Sequence, residues 1–352
     1  MAGSLRVSFA GPGATVQDGG RHGYLRFGVT PAGPMDWVAF RTANLALGNL
    51  ADAAAVEIGV GGIDLFCETA PVAVAFAGGA FLWRRNGAEL PAAARLLLEP
   101  GEMLTARPAA FGAFTYLAAA GGFAVPRVMG SQATHLRSAM GGIEGRCLRA
   151  GDALPVASQA PPCAGFEAEI DAPWLAQDPS PFRVVLGPQD DHFTPEALSI
   201  FFAGSFTLTP AADRMAYRFA GPEIAHARGH DIVSDGVALG AVQIPGDRQP
   251  LILMADRQPT GGYPKLGHVA RADIGRLAQL RPGESCRFQA VSLAKARAAL
   301  LALEDEAAGV AGHLRPLRRA LSCANLLKAN LIDGICDPFA GEGMEGNSKK
   351  PV

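Results

Sequence analysis

Apolar residues in this chain come in short runs cut by Gly, Pro and Asn, a rhythm that predicts strands joined by tight turns. Leu5-Arg-Val-Ser-Phe9 alternates apolar and polar as a half-buried strand does, then turns at Gly11-Pro-Gly13. Runs at 72–76, 96–98 and 114–117 repeat the pattern, and 182–186 begins it again in the second half. Helical periodicity is sparse. Asp36 is a suitable N-cap for a helix over 37–47 that stops at Gly48. Thr194-Pro-Glu196 supplies an N-cap, a first-turn proline and a first-turn acid for a short helix ending before Gly204. Two further helices are predicted over 271–280 and 291–306, the latter with Leu293, Ala296, Leu300 and Leu303 near one stripe.

The form Leu-x-(Pro/Ala)-Gly-acid occurs three times, at Leu98–Glu102, Leu148–Asp152 and Leu280–Glu284. Each reads as a tight turn feeding a strand, with glycine where a turn needs positive φ. Their placement suggests two related β modules. The expected organisation is mainly β with short helices: an N-terminal β domain over 1–160, a linker over 161–180, a C-terminal β domain over 181–290, and C-terminal helices with a mobile tail over 291–352.

Composition then narrows the function classes. With 49% hydrophobic and 18% charged residues, the 352-residue chain can fill real cores. A net charge of −2 without a basic face argues against nucleic-acid binding. The six cysteines are widely separated, so neither a disulfide framework nor a zinc site is expected, and no metal is assigned. The uncharged run between Arg107 and Arg127 is broken by Gly112, Gly121, Gly122 and Pro126, and reads as a strand, a turn and a second strand. No signal peptide is visible at Met1, so a cytoplasmic protein without a membrane partner is expected.

Candidate chemistry gathers in Met254-Ala-Asp-Arg-Gln-Pro-Thr-Gly-Gly-Tyr-Pro-Lys265, which follows an apolar run and offers an acid, two cations, an amide, a phenol and a Gly-Gly step. Only five residues are Lys, and Lys265 is the one that precedes the C-terminal helices. No Gly-x-Ser-x-Gly elbow, phosphate-binding loop, His-Glu-x-x-His or dinucleotide fingerprint competes with it. Asp256, Lys265 and Tyr263 are the candidate catalytic groups. Arg257, Gln258, Gly261 and Gly262 are the candidate substrate-binding residues, joined by Gln17, Asp18 and Arg21 from a second polar loop. Such a set suits a small anionic or amide-bearing substrate, because Arg offers a fork to a carboxylate while Asp and Lys can exchange protons. Which of Asp256 and Lys265 moves a proton stays open. Cys286, in a strand pattern, reads as core rather than as a nucleophile.

Taken in order, Gln17–Gly23, Pro31–Asp36, Gly130-Ser131 with Leu136-Arg137, Gly187–Gln189, Asp213–Met215, Ser234–Val237 and Ala255–Lys265 resemble the biotin-dependent carboxyltransferase family. Its members include the C-type subunit of 5-oxoprolinase, allophanate hydrolase subunit 2, the larger half of the urea carboxylase carboxyltransferase domain, and KipA. Asn325–Gly334 resembles the family's closing segment. The resemblance implies two cyclophilin-like β-barrel domains and a smaller homologous partner, of the B-type or KipI-like kind. For a stand-alone chain it implies ATP-dependent opening of 5-oxoproline to glutamate together with an A-type subunit, with ATP placed by resemblance alone. The alternatives are carboxyl transfer from biotin on a separate carrier, this chain having no Met-Lys-Met site of its own, and a KipA-like regulator acting on a kinase through its partner. Two positions depart from the family pattern: His135 stands where an aromatic is expected, and Pro259 replaces a common Thr.

Overall fold

In a computed structural model, residues 3–157 and 166–317 are described. The chain is mainly β, as predicted, and its strands form three large sheets. The first, of six strands, has the order Ala153–Pro155, Ser4–Ala10, Ile63–Cys67, Met103–Pro108, Phe81–Arg85, Ala88–Glu89. The second, of seven, runs Thr15–Gln17, Ala55–Ile58, Thr115–Ala119, Val72–Gly78, Ala94–Leu98, Ala168–Ile170, Leu314–Pro316. The third, of eight, is drawn wholly from the second half: Ser285–Cys286, Phe206–Ala212, Ala216–Ala220, Leu251–Leu253, Ala241–Gln243, Lys265–Val269, Phe182–Leu186, Phe288–Ala290. Most neighbours are antiparallel; Ile63–Cys67 buries one face fully, whereas Thr115–Ala119 and Ala55–Ile58 are buried on both.

Among the described residues four α-helices accompany the sheets: α1 (Trp37–Ala46), α2 (Pro195–Ala203), α3 (Arg271–Ala278) and α4 (Leu293–Ala308). Asp36 caps α1 as expected, its Oδ1 accepting from the Val38 and Ala39 N–H groups at 3.1 Å each. Thr194 caps α2 through Ala197 N–H, and Ser292 caps α4 through Lys295 N–H. Helix α3 follows Ala270, which gives it no side-chain cap.

The three repeated turns share one geometry. Gly101, Gly151 and Gly283 have φ of 90°, 93° and 93°. The closing N–H of Glu102, Asp152 or Glu284 donates to the carbonyl three residues back at 3.0, 3.1 and 3.0 Å. In each turn the acid side chain also accepts from that earlier residue's N–H, at 3.0, 2.9 and 2.8 Å. One sequence form therefore gives the same doubly braced turn in both halves.

Two expectations need correction. Inside the expected linker, Ala168–Ile170 is a strand that joins Ala94–Leu98 to Leu314–Pro316. Its buried Ala168 and Ile170 alternate with exposed Glu169, a pattern too short to register as a period. In the uncharged run, Thr115–Ala119 is a strand, but after Gly121-Gly122 only a single bridge forms, Phe123 to Val156. The expected mobile tail and the closing-segment match at Asn325–Gly334 lie outside the described residues. Among the described residues, no helix is long and apolar enough to cross a membrane.

The core of the second half is aromatic: Phe201 stacks on Phe288 at 4.8 Å, with Phe182, Phe206 and Phe219 around them. Met35, from the N-terminal half, is buried in this same cluster. Full burial of such a side chain contributes about 1.5–3 kcal/mol. The segment before α1 is thereby anchored on the C-terminal sheet, and that anchor fixes where the two halves meet.

Candidate active site at the junction of the two halves

Strand Leu251–Leu253 delivers the polar loop directly against the junction. Asp256 is buried, and both its oxygens are taken by Arg214, from Nε and Nη2 at 2.9 Å each. The same guanidinium donates through Nη1 to Glu57 on the N-terminal sheet and through Nη2 to the Gly33 carbonyl at 2.6 Å. Glu57 is completely buried. Its other oxygen accepts from Met35 N–H at 2.8 Å and from the Tyr116 hydroxyl at 2.7 Å. Burial pushes the Tyr116 phenol well above its ordinary value, and the neighbouring Glu57 and Asp36 push it further. For Arg214, burial works against the charge, but Asp256 and Glu57 outweigh it and the guanidinium is held more firmly protonated than usual. Asp256 thus emerges as one corner of a buried, fully hydrogen-bonded charge network.

The second polar loop lies beside this network. Gly33 N–H donates to Gln17 Oε1 at 3.2 Å, so Gln17, Gly33, Arg214 and Asp256 form a continuous chain of contacts. Gln17 itself is sealed, its amide nitrogen occupied by Thr15 and the Thr134 carbonyl. Asp18 is also occupied: Gly20 N–H, the Ser131 hydroxyl and Gln132 N–H fill its oxygens. Arg21 is buried, with Nε and Nη2 each donating at 2.9 Å to the Val128 and Ala133 carbonyls. Burial lowers its pKa, against the opposing charges of Asp18 and Asp256. These three residues shape the junction, and the structure gives Gln17 and Asp18 no free group to offer a ligand. The sequence pattern could not distinguish a polar loop that binds a ligand from one that binds itself.

On the far side of the loop, Thr260–Gly261 pairs with Asp235–Gly236, a short strap laid across the site. Lys265, 1% exposed, donates from Nζ to Asp235 Oδ2 at 2.9 Å. That bond, with Gly236 N–H, holds the Asp235 carboxyl below its usual range. No hydrogen bond or ion pair joins Lys265 to Asp256 among the described residues, so the two candidate proton carriers serve separate partners. Tyr263 stands at the rim, 37% exposed.

Between these partners lie groups whose bonding is incomplete. Arg257 is 8% exposed, and its only side-chain hydrogen bond among the described residues runs from Nε to the Val237 carbonyl at 3.3 Å. Burial lowers its pKa with no compensating acid. Gln243, missed by the sequence reading, points from a wholly buried strand position and has its Oε1 unpartnered. Its Nε2 donates weakly to the Tyr263 carbonyl at 3.4 Å. A Cβ on Gly261 would sit 2.6 Å from Gln243 Nε2 and 3.3 Å from Gln258 Nε2, so a side chain at this position would displace the Gln243 amide. Gly262 has no such crowding. A buried glutamine within a short apolar strand was the one available signal for Gln243, since such a position ordinarily holds an aliphatic residue.

The two departures from the family pattern fall nearby. His135 pairs its main chain with Met140 and has a buried, unpartnered Nδ1, while the Pro259 carbonyl accepts from Val237 N–H at 3.1 Å. Cys286 is inert: burial pushes its thiol up to about 12. Among the described residues, no group of three or more His, Cys, Asp or Glu is placed to hold a metal ion.

Known proteins share both the sequence and the architecture. Residues 27–290 match the family model described as carboxyltransferase domain, subdomain A and B. Over 294 residues the chain is 37% identical to the C subunit of 5-oxoprolinase from Haemophilus influenzae, covering 80% of this chain and 90% of that one. It is 35% identical to the C subunit of the Escherichia coli 5-oxoprolinase over 292 residues, 83% of this chain and 93% of the relative. Among solved structures it superposes on the K. lactis urea amidolyase with a TM-score of 0.80 at 26% identity, covering 91% of this chain but 20% of that much longer protein. The doubled β architecture, the loop order and these matches lead to one assignment: the chain belongs to the carboxyltransferase family built from subdomains A and B.

Proposed function

We propose that this chain is the C subunit of a cytoplasmic ATP-dependent 5-oxoprolinase, opening 5-oxoproline to glutamate together with a smaller homologous subunit and an A-type subunit. Relatives 37% and 35% identical over nine-tenths of their own length are named as the C subunit of 5-oxoprolinase, which supports the reading. The observation that carries it is Arg257, a desolvated cation without a counter-ion among the described residues, in the same loop whose Gly261 meets the amides of Gln258 and of Gln243, the latter with Oε1 unpartnered. A buried unpaired charge is costly in a resting protein and becomes favourable when a ligand anion meets it.

5-Oxoproline presents one carboxylate and one lactam edge with a donor N–H and an acceptor carbonyl. Arg257 holds the carboxylate, Gln243 Oε1 accepts from the lactam N–H, and Gln258 Nε2 donates to the lactam oxygen. When ATP is bound, its cleavage supplies the driving force for opening an otherwise stable amide. In the hydrolysis, a water oxygen bonds to the carbonyl carbon, the C–N bond breaks, and the departing nitrogen gains a proton. Lys265, braced by Asp235, is the group assigned to that proton, and Tyr263 at the rim donates to the developing oxyanion. Asp256 is assigned to holding Arg214 and the loop, because neither of its oxygens is free.

The test is ATP-dependent glutamate formation by the three co-expressed subunits. Arg257→Ala is expected to raise KM for 5-oxoproline at least about tenfold, and Lys265→Ala to reduce kcat by about 10²-fold or more. Unchanged kinetics in both variants would remove the assignment. The likeness to urea amidolyase favours a second reading, carboxyl transfer from biotin borne on a separate carrier. Biotin-dependent carboxylation of an amide without glutamate formation would support that reading instead.

A further inference from the structure

Trp37 opens α1 and is almost wholly buried, its Nε1 donating to the Arg271 carbonyl at 3.1 Å. Two guanidiniums lie against this one indole. The Arg41 and Arg271 Cζ atoms are 5.2 and 5.4 Å from the ring centroid. Arg41 has acids to balance it, Glu304 at 3.4 Å and Asp52 at 3.7 Å. Arg271 is exposed and makes no side-chain hydrogen bond or ion pair among the described residues. Burial of its stem, joined by the positive charges of Arg41 and Arg257, lowers its pKa to about 10 against the pull of Glu304. Arg257 thus lies within electrostatic range of Arg271, and it also lacks an acid. Three cations share this corner; of the acids nearby, Glu304 and Asp52 pair with Arg41, while Asp36 accepts from Val38 N–H, Ala39 N–H and Gln279 Nε2.

Arg271 is also the first residue of α3, an eight-residue helix whose start has no side-chain cap. Its first-turn acid, Asp273, is taken by Arg183. The uncapped N–H groups and the positive end of the helix therefore add to the same field.

We propose that Trp37, Arg41, Arg271 and the start of α3 form a subsite for a phosphate-class oxyanion, with Arg257 shared between it and the substrate carboxylate. The inference rests on the proposed substrate site only through that shared arginine. A doubly charged tetrahedral group is preferred to a carboxylate, since Arg257 and Arg271 have no acid paired to them among the described residues and the helix terminus has no side-chain cap. The group comes either from free phosphate or from a phosphoryl group of a nucleotide.

The test uses the full chain, with calorimetry and tryptophan fluorescence during titration with inorganic phosphate at constant ionic strength. Saturable binding is expected. Trp37→Phe should abolish the fluorescence change while Trp83 and Trp174 remain. Arg271→Gln should weaken phosphate at least about tenfold, and Arg271→Lys less, with thermal melts confirming that both variants are folded. Competition by ATP would support a nucleotide source, and phosphate binding without competition a free-phosphate source. No saturable phosphate binding, an unchanged affinity in folded Arg271→Gln, or equal competition by acetate would overturn the subsite. Phosphate binding in a chain whose assembled complex does not open 5-oxoproline would leave the subsite standing and remove the proposed substrate.

Discussion

Replacing Arg214 with Met tests whether the junction network is the main link between the two halves. The methionine fills similar space but leaves Asp256 and Glu57 buried without a cation. Removing one partner of a buried ion pair costs about 3–5 kcal/mol. Two acids share this one guanidinium, so the upper part of that range is expected, about 5 kcal/mol. For a unit of this size each kcal/mol moves Tm by about 2–4 °C, so a fall of roughly 10 °C or more should appear in thermal melts. The pH dependence carries the diagnostic. A carboxylate stranded in a dry pocket takes up a proton more readily than it does in the unfolded chain. The folded variant then binds more protons than its unfolded state at mildly acid pH, so its stability falls as pH rises through that window. Urea melts at pH 5.0 and 7.5 should show a smaller deficit against wild type at the lower pH. Adding Glu57→Gln and Asp256→Asn should restore much of the loss, since no uncompensated charge then remains. A deficit below about 1 kcal/mol, or one that does not shrink at pH 5.0, would refute the reasoning.

Two further outcomes follow from neighbouring contacts. Burial raises the pKa of Asp36, against the bonds from Gln279, Ala39 and Val38, so the folded state holds its proton more tightly than the unfolded chain. Its contribution to stability is therefore greatest below the unfolded value and declines as pH rises through the folded one. Asp36→Asn should remove that slope in pH-dependent urea melts, whereas Asp36→Ala should cost about 1–2 kcal/mol through the lost cap. Gly261→Ala places a Cβ against Gln243 Nε2, so it should raise KM for 5-oxoproline several-fold and lower stability by about 1–3 kcal/mol. Kinetics matching wild type would show that Gln243 does not face the substrate.

Local signals were legible in the sequence, and long-range ones were not. The caps at Asp36 and Thr194 and the three braced turns follow from neighbours within a few residues, and they appear where the residue types require. The loop from Met254 to Lys265 was visible as a concentration of polar chemistry. The division of labour within it was not, because Arg214, which occupies both Asp256 oxygens, and Glu57, which shares that guanidinium, lie 42 and 199 positions away from it. Arg214 was present in a recognised motif yet gave no local sign of its partners. Gln17 and Asp18 misled for the complementary reason: polarity in a loop records that hydrogen bonds are made, without saying to what. Gly261 was read as substrate-binding, and its proximity to Gln243 is a contact that only the paired strands create.

The strand Leu314–Pro316 lies beside Ala168–Ile170 at the edge of the sheet otherwise built from the first half. In connectivity, then, the second half is an insert: the chain leaves the N-terminal sheet after Ala168–Ile170 and returns to that same strand only after α4. Both ends of the insert are tied to one scaffold, so neither half can be trimmed at a clean boundary. A chain cut after residue 290 would keep all eight strands of the C-terminal sheet but bare a row of unpaired backbone groups on Ala168–Ile170, an open edge that invites pairing with other molecules.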